Sequence, residues 1–191
     1  MQILKRFWCL LPVILFTGVV IAQQKKKTGG FYNIDEVGIQ FSDKKGLVLR
    51  AIGGYRFNSH LQAGVGVGLD DYTLRSVPLF GDARYDLNGT KNTFFAYGGA
   101  GISFPWITSN QFPGYYGKHP DKTVPGFYGH AGIGYKIRTG KNDFHIAVGY
   151  SRAAMKLKYE SVAIWPQPVL LGYTSYEYKF NRISIVAGIT L

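Results

Sequence analysis

Between Phe31 and Leu191 the chain alternates apolar side chains with small, polar or charged ones, in segments of about ten residues bounded by turn formers. The segments lie near 31–41, 47–57, 61–70, 77–87, 94–104, 126–138, 143–152 and 178–191. Successive side chains of a strand point to opposite faces, so each segment has one face that tolerates oil and one that does not. Residues 47–57 set Leu47, Leu49, Ala51, Tyr55 and Phe57 against Arg50 and Arg56. Residues 77–87 set Val77, Leu79, Ala83 and Tyr85 against Phe80, Asp82 and Arg84. In 126–138, Phe127, Ala131, Ile133, Tyr135 and Ile137 oppose Tyr128, His130 and Lys136. In 143–152, Phe144, Ile146, Val148 and Tyr150 oppose His145, Ala147, Gly149 and Ser151. No helical periodicity is sustained over three turns, so the chain is all-β.

The stretch LQAGVGVGLD (61–70) carries this to an extreme, because its second face is almost entirely glycine. A strand interior normally avoids glycine. A phosphate-binding loop is excluded: Gly64, Gly66 and Gly68 lack the G-x-G-x-x-G spacing and lead into Asp70-Asp71-Tyr72 rather than a helix. The remaining explanation is the wall of a narrow barrel, where small residues leave room for large inward neighbours.

The chain starts with a basic pair, Lys5-Arg6, and the apolar run FWCLLPVILFTGVVIA, ending in Ala22. These are the parts of a secretory signal peptide, expected over residues 1–22, and the run is short for a membrane-spanning helix of about 20 apolar residues. Residues 23–30 form a polar lead-in, and 31–191 the barrel. The only cysteine is Cys9, inside the signal, so the exported chain has no disulfide and no Cys-based metal site. Removing Lys5 and Arg6 lowers the formal charge from +11 to +9. That charge favours an anionic neighbour, and an exported chain has little occasion to meet nucleic acid.

The connections alternate in length. Asn58–His60, Asn88–Asn92 and Thr139–Asn142 are short turns rich in Asn and Gly. Ser42–Gly46, Asp71–Ser76, Pro105–Pro125 and Ala153–Glu177 read as loops emerging at the other end. This is the asymmetry of a transmembrane barrel. A sheet that spans a membrane must close on itself to satisfy its backbone, and eight strands leave an interior just wide enough for side chains. If Arg50, Arg56, Phe80, Arg84, Tyr97, Tyr128 and Lys136 point inward, glycines such as Gly66, Gly99, Gly132 and Gly149 make the space. Pro78 cannot donate to a ladder and is expected at a bulge near the rim.

Together with the signal peptide and the closing YKFNRISIVAGITL, these segments make the chain resemble the small eight-stranded outer-membrane β-barrels of Gram-negative bacteria. The resemblance covers the whole exported chain and rests on pattern rather than on an invariant motif. It implies a closed antiparallel transmembrane barrel in the outer membrane, monomeric, non-enzymatic, and inserted by the barrel-assembly machinery. Members often end in an aromatic residue, whereas this chain ends in Leu191. Both termini then lie in the periplasm and the long loops outside. There Lys44, Lys45, Lys118, Lys122, Lys156 and Lys158 are expected to meet lipopolysaccharide phosphates.

The candidate functional residues are inward charges: Glu36, Arg50, Arg56, Asp82, Arg84, His130, Lys136 and Arg182. Ionisable groups at membrane depth are expensive unless paired, so they read as salt bridges plugging the lumen, with a gated pore as the alternative. Glu36 and Asp82 are the expected acids for Arg50, Arg84 and Lys136. Asp70-Asp71 reads as the start of a loop. A lipid A deacylase-like enzyme of the same fold would need a His with a Ser two residues on, facing lipid. His130-Ala131-Gly132 and His145-Ile146-Ala147 lack it. No metal or cofactor is implied. A soluble barrel holding an apolar ligand is a third possibility, and it would turn Val65, Val67, Ile133 and Val148 inward.

Overall fold

A computed structural model of the chain describes residues 29–89, 92–106, 120–140, 142–163 and 169–191. The signal-peptide segment and Lys118 lie outside the described residues. Eight long strands form the wall: β1 (Gly30–Phe41), β2 (Lys45–Arg56), β3 (Leu61–Asp71), β4 (Arg75–Asp86), β5 (Thr93–Pro105), β7 (Gly126–Arg138), β8 (Asp143–Ala163) and β9 (Val169–Thr190). A three-residue strand, β6 (Lys122–Val124), lies on the edge of β8. Every pairing is antiparallel. Because β9 pairs with both β8 and β1, the sheet closes. The expected eight-stranded closed barrel is the fold.

The period-two pattern settles which face turns out. Val65, Val67, Ile133 and Val148 are 62%, 46%, 68% and 48% exposed, so they stand on the outside. A soluble ligand-carrying barrel is thereby contradicted. The outer surface is an aliphatic band between two aromatic girdles. At the turn end Phe31, Tyr55 and Phe57 pack edge to face at 5.4 and 5.5 Å, and across the barrel at the same end Phe94 and Tyr135 do so at 5.0 Å. At the other end Phe104, Trp106, Phe127 and Tyr150 are exposed. Such a banded exterior is what a bilayer requires of a spanning barrel.

The glycines answer a packing demand. A Cβ placed on Gly66 would lie 2.6 Å from the Phe80 ring, on Gly99 2.6 Å from His130, on Gly132 2.7 Å from Tyr97, and on Gly134 2.6 Å from Phe95. On Gly149 it would run into the Tyr97 hydroxyl. Phe80, Phe95, Tyr97 and His130 thus each lie over a glycine of a neighbouring strand.

Two expectations about backbone are corrected. Pro78 makes no bulge: the β3–β4 register is the same on both sides of it, Val67 facing Leu79 and Asp70 facing Ser76. The ladder simply lapses at the two intervening positions, where Pro78 offers no N–H and its Cγ lies 3.1 Å from where a Cβ on Gly68 would stand. The second correction is larger. Ala153–Glu177 is not a loop, because β8 and β9 stay paired from Asp143↔Thr190 through Ser161↔Gly172, far past the rim. Together they form a two-stranded arm. Ser42–Gly46 and Asp71–Ser76 shorten likewise, since β2 begins at Lys45 and β4 at Arg75.

Candidate functional site

Inward positions of the strands gather the barrel's charge into connected clusters. At mid-barrel Glu36 (β1) accepts from Arg84 Nη2 at 2.7 Å and Arg50 Nη1 at 3.5 Å, and lies 2.9 Å from His145 Nε2. Asp82 (β4) accepts from Arg84 Nε at 2.9 Å and lies 3.2 Å from His130 Nε2. Arg84 therefore joins the two acids. All six side chains are at most 2% exposed. Aromatic rings pack around them. Phe80 meets His130 edge to face at 4.8 Å, and the Arg84 guanidinium lies 5.6 Å from the Tyr97 ring centroid and 5.9 Å from that of Phe95. Buried charges of this kind hold together only when each has its partner, since a lone one would cost several kcal/mol.

Toward the turns a second cluster forms on Asp86. Its carboxylate takes Lys136 Nζ at 2.8 and 2.9 Å, Arg138 Nη2 at 2.6 Å and Gln62 Nε2 at 3.4 Å. Lys136 thus reaches neither acid expected for it. Across β5 it faces Thr93, and Asp86 is the β4 acid at that level; Asp82 sits four residues farther along, about 14 Å at strand rise. Arg56 pairs with Asp143 at 3.8 Å near the same end. Toward the arm, Arg182 Nη2 donates to Asp70 at 2.8 Å, with the Tyr72 ring 5.7 Å away. Asp70 is therefore a lumen residue and not the start of a loop.

All eight expected inward residues face the lumen, and they fall into separate clusters. Reasoning from sequence left out their partners Asp70, Asp86, Asp143 and Arg138, and it turned His145 inward without naming it among the charges. Their parity places each on the inward face. Asp70, Asp86, Asp143 and Arg138, however, stand at or next to strand ends, where Asp86, two residues before Asn88, and Asp143, beside Asn142, also read as turn chemistry.

Above the rim the same two strands carry a different arrangement. On the inner face of the arm Met155 and Leu157 are buried with Leu74, and Tyr159, Tyr178 and Phe180 pack against them. Tyr72 meets Phe180 edge to face at 5.6 Å. On the outer face stand Arg152, Lys156 and Lys158 of β8, Glu177 and Lys179 of β9, and Lys122 of β6. Lys122, expected on one loop, and Lys156 and Lys158, expected on another, are thus assembled on one sheet. Lys44 lies in the turn before β2, where its N–H donates to the Tyr72 hydroxyl at 3.1 Å, and Lys45 opens β2 itself.

A closed eight-stranded barrel with an apolar banded exterior and a charged interior defines a small integral outer-membrane β-barrel. Solved structures with this fold include Neisserial surface protein A (NspA), 14% identical, with TM-score 0.52 over 86% of this chain and 99% of that one. The outer membrane protein OprG from Pseudomonas aeruginosa is 15% identical, with TM-score 0.52 over 85% of this chain and 92% of its own. The outer membrane protein AlkL, determined by solid-state NMR in DMPC bilayers, is 11% identical, with TM-score 0.51 over 88% of this chain and 92% of its own. At such identities the likeness is one of fold. No protein-family model matches the sequence, and no curated protein does.

Proposed function

We propose that this chain is a non-enzymatic outer-membrane barrel whose lumen is closed to ions and whose β8–β9 arm forms its recognition surface outside the cell. One observation carries the reading. Every lumen acid (Glu36, Asp70, Asp82, Asp86 and Asp143) is paired with at least one of Arg50, Arg56, Arg84, Lys136, Arg138 and Arg182. A conducting pore needs mobile ions to find weak, successive sites, whereas these charges already hold each other, with rings packed between the clusters. A lipid-modifying activity would need its histidine on the lipid face. His130 and His145 face inward, and each lies against a carboxylate.

Planar-bilayer recording tests the proposal. Wild-type protein inserted into a phospholipid bilayer is expected to leave the baseline current flat. A large, steady conductance would contradict the plugged lumen.

A further inference from the structure

The outer face of the arm continues the lipid-facing row of the barrel without a break. On β8 the even-numbered positions run Phe144, Ile146, Val148, Tyr150 and then Arg152, Ala154, Lys156 and Lys158, and the pairing with β9 shows no register shift until Ser161. The row that touches acyl chains therefore becomes basic at Arg152, just past Tyr150, whose hydroxyl donates to Asn181 Oδ1 at 2.7 Å. From Arg152 to Lys158 the strand covers about 20 Å, and strand tilt leaves much of that length near headgroup level.

The cations there are arranged against their own repulsion. Lys122 of β6 is directly opposite Lys158 of β8, and Lys156 shares the Lys158 face one pleat away. Like charges directly opposite each other destabilise a sheet. Glu177, the acid opposite Lys156, lies 3.7 Å from Lys179 instead. Among the described residues no carboxylate lies within ion-pair distance of Arg152, Lys156 or Lys158: Glu160, next on that face of β8, accepts from the Tyr173 hydroxyl at 3.3 Å, and Asp121, before β6, accepts from the Glu160 N–H at 2.6 Å. Lys122 is steadied from beneath by the Tyr173 ring, 4.9 Å from its Nζ. A multivalent anion between the two strands would turn this repulsion into attraction.

We infer that the outer face of the arm binds the phosphate groups of a phosphorylated glycolipid in the same membrane leaflet, with Lys122, Arg152, Lys156 and Lys158 as the contacts. The continuity with the acyl-facing row selects a membrane lipid over a free anion. A bound lipid lays its chains along Ile146 and Val148 while its phosphates meet the basic row. Lys44 and Lys45, on the far side of β9, stand outside this site. The inference goes beyond the closed-lumen reading and does not depend on it: a conducting barrel could carry the same site, and a silent one could lack it.

Native mass spectrometry of the folded full chain in zwitterionic detergent, titrated with diphosphoryl lipid A, tests it. Each variant is first shown to be folded by its heat-dependent mobility on a gel. Lys156→Gln with Lys158→Gln is expected to weaken lipid binding about thirtyfold, since each basic residue at a charged surface contributes about a factor of five. Lys156→Arg with Lys158→Arg is expected to retain binding, and so is Lys44→Gln with Lys45→Gln. Dephosphorylated lipid A should bind no better to wild type than to the Gln variant. Equal affinity of wild type and the K156Q/K158Q variant for diphosphoryl lipid A would overturn the inference. Displacement of the lipid by an equal concentration of inorganic pyrophosphate would also overturn it, by making the ligand a free anion.

Discussion

The lower and upper halves of β8 and β9 are one continuous ladder, yet their chemistry is inverted. Within the barrel, outward positions are Ile146, Val148, Tyr150, Ile183 and Ile185, and inward ones are His145, Ser151, Arg182 and Ser184. In the arm the outward positions are Arg152, Lys156, Lys158, Lys179 and Glu177, and the inward ones Ala153, Met155, Leu157, Tyr178 and Phe180. Parity does not change; the surroundings do. Below the crossover the outer face meets acyl chains, where a charge costs kcal/mol, and the inner face is a crowded space in which charges neutralise one another. Above it the outer face meets water, and the inner face packs against Leu74 and Tyr72 over the barrel mouth. The point of inversion, Tyr150 to Arg152, marks the membrane surface on this strand.

Substitutions should divide along that line. The largest loss is expected from Glu36→Ala, which would leave Arg50, Arg84 and His145 around an empty carboxylate position; urea unfolding in lipid vesicles should show about 3–5 kcal/mol less stability. Next come Val65→Arg and Ile146→Arg on the lipid face, at about 2–4 kcal/mol each for a site near the midplane. Leu157→Ala should cost about 2 kcal/mol locally, read as faster proteolysis of the arm while the barrel keeps its heat-dependent gel mobility. Lys156→Ala, on the same face of β8 as Ile146, should change stability by no more than about 0.5 kcal/mol. If Lys156→Ala and Ile146→Ala had equal effects on stability, the two halves would not differ as described.

Much of this was legible in the sequence, and the part that was not has a physical reason. Eight alternating segments, short turns at one end and glycines facing large inward residues determine the closed barrel, and the glycine contacts of Phe80, Phe95, Tyr97 and His130 show why that alternation is so strict. The arm escaped because Met155-Lys156-Leu157-Lys158-Tyr159-Glu160 alternates as cleanly as any strand but with apolar residues at odd positions, where β8 had them at even ones. When the apolar residues move to the other face, the change reads as the end of a strand if the medium is assumed constant. The lumen acids Asp70, Asp86 and Asp143 were hidden for a related reason, since at a strand end one aspartate satisfies both the alternation and a turn. Which cation meets which acid depends on strand stagger, and a single strand's alternation carries no information about it.

The inversion can be measured position by position. Nitroxide labels placed singly at residues 146, 148, 150, 152, 156 and 158 of β8, in protein folded into bilayers, report their collisions with oxygen and with a water-soluble nickel chelate. Oxygen should dominate at 146 and 148, the two should balance near 150, and the chelate should dominate from 152 onward. Labels at 156 and 158 as oxygen-rich and chelate-poor as the label at 146 would place the basic row inside the bilayer and contradict the account.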